Sequence, residues 1–233
     1  MLIAIISDLH SNLEALTTAI NYIDRAGVDE IWCLGDIVGY GPSPNECVEM
    51  VREKCTLLLR GNHDAGAIGD LELSHFNEHG QAAIKWTRAE LTFQNREYLN
   101  TLPLTAVRRD IMLAHATPAD PESWRYVLTW SDAIDAFMGS SSPLCFIGHT
   151  HVPLIIGEDH KTGTFRQGVR HLINVGSVGQ PRDGNPKASF GLLDTDLGKY
   201  ENIRLAYDIE KVIQAVQKAG LPEQLGKRLL VGI

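Results

Sequence analysis

An apolar run that stops at a carboxylate or an imidazole recurs five times in this 233-residue chain. Leu2–Ile6 leads into Asp8-Leu9-His10, and Ile31–Leu34 into Gly35-Asp36. Thr56–Leu59 leads into Gly61-Asn62-His63-Asp64, Ile111–Ala114 into His115, and Leu144–Ile147 into Gly148-His149-Thr150-His151. Short apolar runs bounded by turn residues read as strands buried on both faces. In open α/β sheets, ligands bind at the carboxyl ends of such strands. Five of the nine histidines fall at these ends, where scattered structural histidines have no reason to gather.

The segments between the runs define the connections. Leu13, Leu16, Ile20 and Ile23 repeat at helical spacing between an Asn12 cap and Gly27. A second helix is expected over Pro44–Lys54, after the loop Gly39-Tyr40-Gly41-Pro42. Strand–helix–strand–helix–strand implies a parallel sheet. Residues 65–102 are polar and predict helices with no strand, an insertion beside the site. Short strands are expected at Ala106–Arg109 and, later, at Pro153–Ile156, Gly163–Gln167, His171–Val175, Ala188–Asp194 and Tyr200–Tyr207, which makes the second half mostly antiparallel. Ser131–Met138 is expected as a short helix, and Asp208 as the cap of a final helix reaching Ala219. The expected architecture is α/β, two mixed sheets packed face to face with helices outside, in one domain over 1–233.

Composition removes several classes. A net charge of −8 argues against a broad nucleic-acid or membrane-surface footprint. No stretch approaches the roughly 18 apolar residues of a membrane span, and the N-terminal apolar run is too short for a secretory leader. The four cysteines form no CxxC pair; Cys33 and Cys145 lie in apolar runs, as buried thiols do. A reducing, cytoplasmic setting is the expectation.

Asp8 and His10 are two apart, as are His149 and His151, so each pair would share one side of an extended backbone. Carboxylate and imidazole ligands suit Mn, Fe, Zn or Ni. Taken singly, each motif also reads as a capping residue or an ordinary turn. His75 and His79 are four apart on an expected helix but lack a third ligand. Trp124 and Tyr126 could stack on a nucleobase or pack into a loop.

The ordered series from Asp8-x-His10 to His149-x-His151 resembles the calcineurin-like metallophosphoesterase superfamily. The run Asn174-Val175-Gly176-Ser177-Val178-Gly179-Gln180-Pro181-Arg182 is similar to the tail motif of its compact prokaryotic phosphodiesterase branch. The resemblance implies a four-layer α/β/β/α sandwich and two divalent transition-metal ions, with Mn favoured. It implies that Asp8, His10 and His151 hold the first ion, that Asn62, His115 and His149 hold the second, and that Asp36 bridges both. His63 is then the catalytic group that faces the phosphate. The implied reaction is hydrolysis of a phosphodiester by a metal-bridging hydroxide, on a small phosphate ester such as a nucleotide. A phosphomonoesterase, a dinucleoside polyphosphate hydrolase and a non-catalytic scaffold of the same fold are the alternatives.

One departure bears on the chemistry. Many phosphatases of the family place an aspartate three residues after the bridging aspartate, followed by a phosphate-binding arginine. Here those positions are Gly39 and Tyr40. This favours the small phosphodiesterase-like branch and leaves the partner of His63 open. Arg182 is the candidate replacement for the arginine; the other reading pairs it with Asp183.

Overall fold

The computed structural model describes residues 1–233. In chain order its first elements are β1 (Leu2–Ile6), α1 (Leu13–Ala26), β2 (Glu30–Cys33), α2 (Pro44–Lys54) and β3 (Leu57–Leu58). A helical stretch follows: α3 (Asn62–Ile68), α4 (Glu78–Glu90) and α5 (Phe93–Asn100), with a 3-10 turn at Leu73–His75. Next come β4 (Thr105–Arg108), β5 (Ile111–Ala114), α6 (Trp130–Met138), β6 (Leu144–Ile147), β7 (Leu154–Gly157) and β8 (His171–Asn174). The chain ends with β9 (Ala188–Asp194), β10 (Lys199–Leu205), α7 (Ile209–Lys218) and α8 (Glu223–Lys227).

Two five-stranded mixed sheets result, in the orders β10-β9-β1-β2-β3 and β4-β5-β6-β8-β7. Strand alternation sorts the side chains into layers. Ile3 and Ile5 of β1 meet Leu113, Phe146 and Ile173 of the second sheet. Ala4 and Ile6, on the opposite face of β1, meet Leu16, Ile20 and Ile23 of α1. In the second sheet Met112 and Ala114 turn outward onto Ala133 and Phe137 of α6. The order is therefore helix, sheet, sheet, helix. Each large aliphatic or aromatic side chain buried in these interfaces contributes about 1.5–3 kcal/mol.

Local signals explain the element ends. The Asn12 side chain accepts a hydrogen bond from the Ala15 amide and starts α1, and Gly27 ends it in the left-handed region. Arg109 and Asp110 both have positive φ, 55° and 60°, and form the tight turn between β4 and β5.

One expectation is corrected. Gly163–Gln167 is not a strand. The one isolated bridge, Thr162 to Ile156, falls just before it, and Gly163 and Gly168 at positive φ break the extended run. Phe165 packs on His171 instead, and Arg166 pairs with Asp159. The second half is mostly antiparallel, as expected: β4 on β5, β7 on β8, and β9 on both β1 and β10 are antiparallel, while β5, β6 and β8 run parallel to one another. The carboxyl ends of β5 and β6 thus deliver His115 and His149 to the same place as the ends of β1 and β2.

Candidate metal centre

The strand ends leave extended geometry abruptly. Asp8, His10, Asp36, His149 and His151 all have positive φ, between 48° and 67°. Such conformations cost about 1–3 kcal/mol each outside glycine. The turn at β1 is held by the turn at β2: the Asp8 amide donates to the Gly35 carbonyl at 3.0 Å, and the amides of Leu9 and His10 both donate to the Asp36 carbonyl. Asp8 and His10 therefore converge through left-handed turns, not through strand alternation. Gly61 lies so close to Asp36 that a Cβ there would overlap its carboxylate. The Asp36 Oδ1 in turn accepts from the His63 amide at 2.8 Å.

Two groups of side chains share Asp36. Asp8, His10, Asp36 and His151 form one and Asp36, His115 and His149 the other, with ligand atoms within 4.8 Å of one another in each. All six residues are buried. Asn62 joins the second group, its Oδ1 3.2 Å from His115 Nε2.

The hydrogen bonds set the histidine tautomers. Nδ1 of His10 donates to the Val38 carbonyl, Nδ1 of His151 to Gln180 and Nε2 of His149 to Trp124. A carbonyl only accepts, so these nitrogens carry the protons and the other nitrogen of each ring turns a lone pair inward. Nε2 of His10 and Nε2 of His151 face each other at 3.0 Å, an arrangement that a shared cation relieves. His115 Nε2 lies 3.3 Å from Asp36 Oδ2 and 3.2 Å from His149 Nδ1. Burial lowers the His115 pKa, but the charge of Asp36, with Asp8 behind it, lifts it to about 9. The field at that point calls for positive charge, and the donor set fits divalent transition metals.

The other pKa values follow from the same packing. Burial pushes the Asp8 and Asp36 carboxyls up, yet His151 beside Asp8 and His115 beside Asp36 hold both well below the usual range. Burial and the His115 charge push His149 down to about 3, and burial pushes His10 far down.

His63 stands beside the cluster within an aromatic surround. Its ring centroid is 4.3 Å from Tyr40, 4.8 Å from His10 and 4.9 Å from Phe76. Burial takes its pKa down to about 4, so the ring is neutral at neutral pH. Its Nδ1 has no hydrogen-bond partner. A Cβ on Gly39, itself at φ 94°, would come within 2.5 Å of that nitrogen, so no side chain at position 39 could orient it. Nε2 is the nitrogen left for a ligand.

Arg182 does not pair with Asp183, which binds Arg204 instead. Its Nη2 donates to Gln180 Oε1 at 2.9 Å and lies 3.5 Å from the Tyr40 hydroxyl, and its Nε is unpartnered. His75 and His79 are exposed and belong to neither group. Tyr126 stacks on His149 at 4.2 Å, and the Trp124 carbonyl fixes the tautomer of the same ring, so both residues buttress a site histidine.

Sequence reasoning missed Asp64. This fully buried carboxyl accepts from the Val38 and Gly61 amides and ties the Gly39 turn to the start of α3. Burial and the nearby Asp36 push its pKa up to about 7. Its place three residues after the turn glycine is a capping-box position, the signal that could have found it.

Comparison with known proteins agrees with this picture. Residues 1–198 match the family model of the calcineurin-like phosphoesterase superfamily domain. The chain is 42% identical to the uncharacterized protein MJ0912 of Methanocaldococcus jannaschii over 241 residues, covering 99% of this chain and 98% of that one. It is 25% identical to the phosphodiesterase YfcE of Escherichia coli over 201 residues, covering 82% and 86% of the two chains. The crystal structure of a metallophosphoesterase from Sphaerobacter thermophilus superposes with a TM-score of 0.91 at 40% identity, covering 100% of this chain and 99% of that one.

Proposed function

Because the chain belongs to the calcineurin-like phosphoesterase superfamily, we propose that it hydrolyses phosphodiesters with two divalent transition-metal ions held about Asp36. Membership implies a hydrolase acting on small phosphoric esters. The observation that carries the binuclear reading is that one carboxylate, Asp36, belongs to both ligand groups. In this reading Asp8, His10 and His151 complete the first site, and Asn62, His115 and His149 the second. The ligand set suits Mn, Fe, Zn or Ni, and Mn is our choice. Two such ions, when bound, acidify a water and neutralise phosphoryl oxygens.

The chain's own residues supply the rest. His63 offers Nε2 to a phosphoryl or leaving oxygen. A bound anion raises the pKa of this buried ring, so the substrate itself draws a proton onto it. The imidazolium then protonates the departing oxygen. Arg182, with its Nε free and Tyr40 and Gln180 holding one terminal nitrogen, binds a phosphoryl oxygen. Diester preference is supported by the missing carboxylate and arginine at Gly39 and Tyr40, and by the likeness to YfcE, named a phosphodiesterase. Residues 1–233 act as one unit, because α7 and α8 supply Val212, Val216 and Leu225 to the apolar cluster that holds Tyr40. The four cysteines are unpaired, in keeping with action in the cytoplasm, and no helix is long and apolar enough to cross a membrane.

The test is turnover of bis(4-nitrophenyl) phosphate and 4-nitrophenyl phosphate by stripped protein reloaded with Mn(II). Faster diester turnover is expected. Faster monoester turnover would make the protein a phosphatase. No turnover on either ester with metal bound would leave a narrow dinucleoside polyphosphate substrate or a scaffold.

A further inference from the structure

Most arginines of this chain end on a carboxylate, Arg60 on Asp70 and Arg204 on Asp183 among them. Arg182 and Arg228 are half-buried and reach no side-chain carboxylate; Arg182 bonds to Gln180 and Arg228 to the Ile233 main-chain oxygen. Both guanidinium groups lie over one ring: that of Arg182 is 5.7 Å from the Tyr40 centroid and that of Arg228 is 6.0 Å. Burial, and then the charge of Arg182, hold the Arg228 guanidinium below its usual range. Attraction to one phenol face does not offset two like charges taken from water. An anion does.

The position of Arg228 is imposed by packing. It follows α8 directly, and its neighbours Leu225 and Leu229 are buried in the cluster that contains Tyr40 and Val216. It lies beyond residues 1–198, which match the family model. Arg228 also lines a cleft of about 520 Å³ between Asn77 and His79 on one side and Lys227 and Val231 on the other. Lys227 is paired with Glu223, whereas Arg228 meets no side-chain carboxylate: its Nε donates to the Ile233 main-chain oxygen, which leaves its two terminal nitrogens for a ligand. The same Tyr40 ring also lies against His63 and His10, at 4.3 and 4.8 Å.

We propose that Arg228 forms a second anion subsite, against Tyr40, that binds a further phosphate carried by the substrate. The preferred substrates are then phosphoric esters bearing a second phosphate, with the organic part in the cleft. This rests on the phosphoesterase reading above.

The experiment compares kcat/KM of the metal-loaded full chain on thymidine 5′-(4-nitrophenyl phosphate) and on the same ester with a 3′-phosphate. Wild type is expected to favour the 3′-phosphorylated ester by about tenfold or more, the worth of one charge-assisted contact. Arg228→Met keeps the apolar stem and should bring the ratio close to one; Arg228→Lys should recover part of it. A wild-type ratio near one, or a ratio that survives in Arg228→Met, overturns the proposal. If neither ester turns over, the assigned reaction fails and calorimetry decides the subsite. Thymidine 3′,5′-bisphosphate binding more tightly than thymidine 5′-phosphate, with the difference lost in Arg228→Met, supports it; equal binding in wild type overturns it.

Discussion

His63 is held by shape instead of by a hydrogen-bonded partner. Its amide is fixed on Asp36, its ring is boxed by Tyr40, Phe76 and His10, and its Nδ1 rests against Gly39. Substituting Gly39→Ala should therefore push the imidazole away and strain a left-handed turn, lowering kcat with the bound metal content kept. Metal analysis alongside steady-state kinetics checks this, and an unchanged kcat would refute it. If His63 donates a proton to the leaving oxygen, His63→Gln should cost about 10²-fold or more in kcat on an alkyl ester, and clearly less on a 4-nitrophenyl ester whose leaving group needs no proton. Equal losses on both esters would make His63 a binding residue only. The residue types of the centre were legible because Asp, Asn and His stood at strand ends. Asp64 and Arg228 were not, since one acts through two backbone amides and the other arrives from a distant segment.

At the scale of elements, Asn12 shows how one side chain serves two segments. Its Oδ1 caps α1 at the Ala15 amide, and its Nδ2 donates to the Gly179 carbonyl at 2.8 Å, in the loop that leads to Arg182. Asn12→Ala should lower the unfolding free energy by about 1–2 kcal/mol through loss of the cap alone. It should also weaken substrate binding by loosening that loop. Denaturant unfolding and KM measure the two effects separately. The cap itself was readable, because a cap is local; the bond to Gly179 spans 167 positions and was not. Strand direction was readable only in part: the parallel run β1, β2, β3 and the antiparallel later pairs were foreseen, the parallel run β5, β6, β8 was not. Periodicity reports which faces are buried, and β5, β6 and β8 look alike whether parallel or antiparallel. The false strand at Gly163–Gln167 alternates acceptably, and only its flanking glycines at φ 81° and 77° argue against it. The terminal α8 has five residues, too few to show a helical period.

The whole molecule depends on two sheets staying in register, since each supplies half of the centre. Glu30 of β2, buried, joins them. It binds Arg108 at 2.7 Å and Arg109 at 3.0 Å from the β4–β5 hairpin, and accepts from the Trp32 indole. The bond to Arg108 outweighs burial, and with Trp32 and Arg109 it brings the carboxyl down to about 2. A depressed carboxylate stabilises the fold fully above its unfolded pKa of about 4.3 and loses that contribution as pH falls toward 2. Glu30→Gln should cost about 1.5–3 kcal/mol at pH 7, with the gap to wild type closing between about pH 4 and pH 2. Unfolding curves of both proteins across that range test it, and a gap that does not narrow would assign the loss to packing. The central claim is that Asp36 serves two metal ions at once. The most direct measurement is turnover of bis(4-nitrophenyl) phosphate as stripped protein is titrated with Mn(II), with bound metal counted at each point. Turnover is expected to stay low until the second equivalent binds, and Asp36→Asn is expected neither to fill both sites nor to turn over. Full turnover at one bound ion, or turnover that survives stripping, would contradict it.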